Sequence, residues 1–230
     1  MGKSNYNGIT LKSLQPMLAL VVNLVLAYLV YFVARIAFLF ENYSFFKAGL
    51  DISHLWQLFR GGLMFDTSAI VYSNALYILL ILFPIWVKET DIYHRICRWL
   101  FVIINSIGLF INLCDAVYFP FTLRRTTTSV FKEFSNEHNL GNILGTEIIH
   151  HWYFVLLFII VSWGLYQLYR TPKLSHFDFK TIKQRWHFFA INFVALSLVV
   201  VFCVGGARGG LQSGVRPITI SNANEFVKRP

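Results

Sequence analysis

Apolar residues run along this chain in five long blocks, each closed by a polar or charged stretch. Met17 to Phe40 is apolar apart from Asn23 and Arg35, and Thr67 to Val87 carries no formal charge before Lys88. The other blocks run from Trp99 to Phe119, Trp152 to Tyr169 and Trp186 to Val204. A helix that crosses a bilayer needs about 20 mostly apolar residues. The pattern therefore predicts an all-α membrane protein with five transmembrane helices. Pro16 suits the first turn of the first helix, and Arg35, near its far end, is placed to snorkel towards head groups.

Shorter amphipathic patterns between the blocks predict interfacial helices. Ile52, Leu55, Trp56 and Phe59 recur at helical spacing and lead to Arg60. Val130, Phe131 and Phe134 suggest one such turn, and Leu140, Ile143, Leu144 and Ile148 a second short helix. Lys88, Glu89, Asp91, Arg95 and Arg98 read as a loop. Trp99, Trp152, Tyr153, Tyr169 and Trp186 fall at block ends, as an aromatic belt requires. After Val204 the chain turns to Gly205-Gly206-Ala207-Arg208-Gly209-Gly210. The expected organisation is a membrane domain over 1–204 and a flexible, glycine-rich linker over 205–230.

The third block is the most polar. Asn105, Gly108, Asn112 and Asp115 follow at offsets of three, four and three, which places them on one helical face. That face should turn inward, where amides bond across helices and glycine permits close approach. Packing alone accounts for Asn105 and Gly108, and less well for Asp115.

Composition agrees with a lipid environment. The chain is 56% hydrophobic and only 13% charged, against about 25% charged in soluble domains. Its net charge of +9 fits basic flanks meeting anionic lipid. Nucleic-acid binding is disfavoured, because the basic residues lie between apolar blocks. Three cysteines without a CxxC spacing argue against a disulfide framework and read as small buried hydrophobes. The first block is too long for a cleaved signal peptide.

Five spans put the termini on opposite sides. The segments on the N-terminal side carry about ten Lys and Arg in about 45 residues, and the other side a similar number over about 80, so the N-terminus is expected inside. Arg35, Arg60, Asp66, Asp115, Arg124, Arg125, Arg208 and Arg216 then gather at the outer surface. Arginines around one or two carboxylates can hold a phosphate in bidentate fashion, so Arg60, Asp66, Asp115, Arg124, Arg125 and Arg216 are candidate lipid head-group contacts. Taken singly, each arginine also reads as a solvated loop charge. Glu147, His150 and His151 form an E-x-x-H-H patch with metal-ligand chemistry. No second copy follows, and interfacial histidines are the better reading. There is no G-x-x-x-x-G-K-[ST], G-x-S-x-G or H-E-x-x-H, and no complete catalytic constellation.

Three stretches carry a family likeness: Arg60-Gly61-Gly62-Leu63-Met64-Phe65-Asp66-Thr67-Ser68; Cys114 to Phe121 with Arg124-Arg125-Thr126-Thr127; and Arg208-Gly209-Gly210-Leu211-Gln212 running to Arg216-Pro217-Ile218. Their order resembles the N-terminal membrane domain of the lipoteichoic acid synthase family, which are sulfatase-like phosphoglycerol transferases of the bacterial cytoplasmic membrane. The resemblance implies five transmembrane helices followed by an extracytoplasmic catalytic domain with a threonine nucleophile and a divalent metal, manganese or magnesium. It implies membrane phospholipid as donor of phosphoglycerol or phosphoethanolamine, and a glycan or polymer as acceptor. The catalytic domain would begin near Pro230, so the chain is expected to anchor it and contact lipid without catalysing transfer itself. A sulfatase acting on a sulfated glycan is a variant of this reading. The alternatives are a stand-alone membrane scaffold, a small transporter, for which neither broken helices nor paired repeats are expected here, and a metalloenzyme built on Glu147, His150 and His151.

Overall fold

The computed structural model describes residues 14–47, 52–82, 90–123, 146–172 and 182–208, and over these the protein is helical with no strand. The helices are α1 (Gln15–Glu41), the short α2 (Tyr43–Phe46), α3 (Ile52–Ser73), α4 (Ala75–Leu82), α5 (Asp91–Thr122), α6 (Trp152–Leu168) and α7 (Ile182–Arg208). Helices α1, α5 and α7 are each long and apolar enough to cross a membrane, and α3 with α4 make a fourth candidate if the bent pair is one span. Helix α6 has 17 residues, about 25 Å at 1.5 Å per residue, less than a hydrocarbon core of about 30 Å. Large apolar side chains face outward on every long helix, among them Leu29, Ile107, Ile160 and Phe202. A surface this apolar, on three to four helices long enough to cross a bilayer, is that of a membrane protein.

Helices α1 and α5 form the centre. Ala19, Asn23, Ala27, Ala34 and Phe38 line the buried face of α1, and Cys97, Phe101, Asn105, Leu109 and Leu113 that of α5. Steps of about four residues put each set on one helical face, and the alanines of α1 let the backbones approach. Gly108 does the same on α5, since a β-carbon there would collide with the Tyr31 hydroxyl. Helix α6 packs on α5 and α1, whereas α7 rests on α3 and α4. The amide of Asn42, just past α1, donates to the carbonyl of Ala116 at 2.9 Å, so the C-terminal ends of α1 and α5 lie together. At the other end Asn23 clamps the chain after α6. Its amide donates to the Arg170 carbonyl at 3.0 Å and to the Tyr77 hydroxyl at 2.7 Å, and its carbonyl accepts from the Arg170 amide at 2.8 Å. Arg98 bonds the Thr171 hydroxyl at 3.0 Å and lies over the rings of Tyr166 and Tyr169.

Several expected boundaries move. Arg60 to Asp66 do not separate an interfacial helix from a span; one helix runs from Ile52 to Ser73, and the chain then bends by 61° at Asn74. The Ile70 carbonyl explains the bend. It accepts from the Asn74 amide nitrogen (2.9 Å), the Asn74 side chain (3.0 Å) and the Ser73 hydroxyl (3.3 Å), and side chains inserted into the helical ladder kink it. A broken helix is thus present where none was expected. Asp91, Arg95 and Arg98 are not loop residues but the first turns of α5, started by Thr90, whose hydroxyl accepts from the Tyr93 amide. Trp99 accordingly lies inside α5, against Tyr166. Helix α7 continues past Val204 through Gly205 and Gly206 to Arg208. Of the cysteines only Cys97 is buried; Cys114 faces outward and Cys203 is half-buried. The amphipathic segment Val130–Leu144 lies outside the described residues.

Asn74 and Asn105 are fully buried and exchange amide hydrogen bonds at 2.8 and 3.2 Å. Replacing either with Leu should destabilise the protein by about 1–2 kcal/mol, because the other amide is left unpaired. The double variant should lose less than the sum, with a coupling near 1 kcal/mol. Thermal unfolding of the four proteins in detergent tests this, and strictly additive losses would show that the amides do not act as a pair.

Candidate functional site

Arg35 lies six residues before the end of α1, about 9 Å along the helix axis. An unpaired guanidinium at that depth is costly. Its partner comes from α3, which carries two consecutive glycines although glycine in a helix costs about 1 kcal/mol relative to alanine. The reason is visible at Gly62: a β-carbon there would fall on the Arg35 guanidinium. The guanidinium lies across the bare backbone of α3 and reaches Asp66, one turn further on, donating from Nη2 to Oδ2 at 2.7 Å. The two side chains are 18% and 19% exposed, so the pair is neither sealed in the core nor fully solvated. Beside it the Tyr28 hydroxyl donates to Thr67 Oγ1 at 2.8 Å, and Thr67 donates to the Leu63 carbonyl at 2.7 Å.

Of the six candidates from sequence, Asp66 is thus engaged, but by Arg35 and not by Arg60. Six residues of helix turn through about 600°, which leaves Arg60 and Asp66 some 120° apart around α3. Arg60 is exposed and makes no hydrogen bond or ion pair among the described residues. Asp115 is buried at 6% exposure near the end of α5, next to the Ala116 carbonyl that Asn42 holds. Arg124, Arg125 and Arg216 lie outside the described residues. Arg35, which the sequence places at the outer surface but outside the six candidate contacts, is the residue that engages Asp66. The signal was a lone arginine in an apolar block, followed by a carboxylate one turn after a glycine in the next helix.

The E-x-x-H-H patch builds a clamp. His151 Nδ1 faces the Glu147 carbonyl at 3.1 Å and Glu147 Oε2 at 3.3 Å, while Nε2 faces Glu41 Oε1 on α1 at 3.4 Å. Tyr153 donates to Glu41 Oε2 at 2.7 Å. The two carboxylates approach opposite nitrogens of one ring, so they cannot share a metal ion with it, and His150 points outward. Among the described residues no three His, Cys, Asp or Glu side chains are grouped to hold a metal. The resemblance places its divalent metal in a further domain, so this grouping does not bear on it.

Comparison with family models, with curated proteins and with solved structures finds no match to this chain. The site consequently rests on its own geometry.

Gly62→Ala should displace the guanidinium and destabilise the protein by about 1–3 kcal/mol, as expected for disrupting a partly buried ion pair. Gly164→Ala, where nothing lies within 4 Å of the added carbon, should be neutral or stabilising by up to about 1 kcal/mol. Melting temperatures of both variants against the parent check the contrast; equal responses would mean that Gly62 is not a seat for Arg35.

Proposed function

We propose that this chain is the membrane portion of a metal-dependent phospholipid head-group transferase of the lipoteichoic acid synthase type. In this reading its five apolar helical blocks cross the bacterial cytoplasmic membrane with the N-terminus inside. It anchors a catalytic domain that follows residue 230 and presents lipid to it. The observation that carries the reading is the Arg35–Asp66 pair seated on Gly62. A guanidinium has five N–H donors, enough to hold a carboxylate and a lipid phosphate together, and bidentate contact suits both. Asp66 and the bare backbone at Gly62 fix the position of Arg35, and Arg35 contacts the phosphate. Arg60, exposed on the same helix, adds a second cation towards the head groups. Asp115, Arg124, Arg125 and Arg216 complete the set by their place in the sequence. In this reading the further domain would transfer phosphoglycerol or phosphoethanolamine to a glycan or polymer acceptor, and its divalent metal would supply Lewis-acid chemistry there.

Two measurements test this. Phosphatidylglycerol binding to the detergent-purified chain should weaken about fivefold in Arg35→Lys and Asp66→Asn, about 1 kcal/mol, with the helical circular dichroism retained. Unchanged binding in both variants removes the pair from the lipid site. The reading frame beyond codon 230 should continue into a domain with a threonine nucleophile and metal-binding Asp and His residues; a stop codon there would refute the transferase reading.

The bend at Asn74 gives a small transporter a specific argument, since such proteins bind cargo at broken helices. Against it, the amides at this break satisfy one another through Asn105.

A further inference from the structure

A second site lies at the same end of the bundle, between α1 and α6. A cleft of about 520 Å3 is lined by Val33, Ile36, Ala37, Phe40, Phe154 and Leu157, and Glu41 and Tyr153 stand at its polar end. This volume falls within the ~300–1,000 Å3 usual for ligand sites. Its character is that of an amphiphile: an apolar trough for a hydrocarbon chain ending against polar groups at the helix termini. The polar end has a definite charge. Glu41 presents a carboxylate there, one oxygen accepting from Tyr153 and the other facing His151, in a chain of net charge +9. The oxygens that accept from Tyr153 and face His151 have more than one lone pair each. A compact ammonium with three donors matches them, whereas a head group without an amine has no donor cation to place there.

We infer that this cleft binds an aminophospholipid, with one acyl chain along α1 and α6 and the head-group amine on Glu41. The site is separate from the Arg35–Asp66 pair and does not depend on the transferase reading. Tyr153 and His151 are positioning residues here, holding the Glu41 carboxylate at the mouth of the cleft.

Native mass spectrometry of the chain with equimolar phosphatidylethanolamine and phosphatidylglycerol of identical acyl chains tests the assignment. Glu41→Gln should lower phosphatidylethanolamine occupancy about fivefold and leave phosphatidylglycerol unchanged. Ala37→Trp, which fills the cleft, should also remove the ethanolamine lipid, and Asp66→Asn should not. Soluble phosphoethanolamine, which lacks chains, should not compete. Glutamine keeps the shape of Glu41 and can still accept from Tyr153, so that variant decides the question even where the tryptophan disturbs the bundle. Unchanged phosphatidylethanolamine occupancy in Glu41→Gln, a parallel loss of both lipids, or displacement by soluble phosphoethanolamine would each overturn the assignment.

Discussion

A polar group inside a lipid-solvated bundle must find its partner within the protein, because the hydrocarbon supplies none. The packing of this chain follows from where those partners are. Asn23 ties α1 to Tyr77 of α4 and to the backbone after α6. Asn105 of α5 meets Asn74 at the junction of α3 and α4, and Asn42 joins the ends of α1 and α5. Apolar contacts between helices gain little over contacts with lipid tails. These few amides therefore select which helical faces turn inward and in which register. Three buried polar atoms among the described residues lack a partner: Asn42 Oδ1, Ser106 Oγ and Ser162 Oγ. The two serines line an apolar groove between α5 and α6.

The Arg35–Asp66 pair obeys the same constraint with charges. Its cost is lowered by geometry, since both side chains keep contact with the outside and the guanidinium lies flat on a helix without a side chain in its way. Glycine at position 62 weakens α3 as a helix, but its absence of a β-carbon is what lets α1 and α3 exchange a charge-assisted hydrogen bond. A purely structural pair would be satisfied as well by two apolar residues of similar volume, often with a gain in stability.

Helix positions were legible because lipid enforces long apolar blocks, and α1 and α6 lie close to where the pattern puts them. The inward face of α5 was legible too, since Asn105, Gly108, Asn112 and Asp115 share one side of a helix. Pairing was not. Nothing local tells Asp66 to choose Arg35 on another helix over Arg60 on its own. That choice depends on helix phase, and on the slot at Gly62, which exists only after α1 and α3 dock. The bend at Asn74 was hidden for a related reason. Asparagine in an apolar block reads as an inward polar contact, and whether it also kinks the helix depends on which carbonyls its amide and Ser73 reach.

The arrangement of helices couples the Arg35–Asp66 pair to α7. Helix α6 packs against α1 and α5, on the side that forms the cleft with Glu41. Helix α7 instead rests on α3 and α4, the first of which carries Gly62 and Asp66. A displacement of α3 about the bend at Asn74 would have to carry α7 with it or break their shared apolar face. A shift at the Arg35–Asp66 pair is therefore felt at α7, through one packed helix and one bend held in place by Asn105.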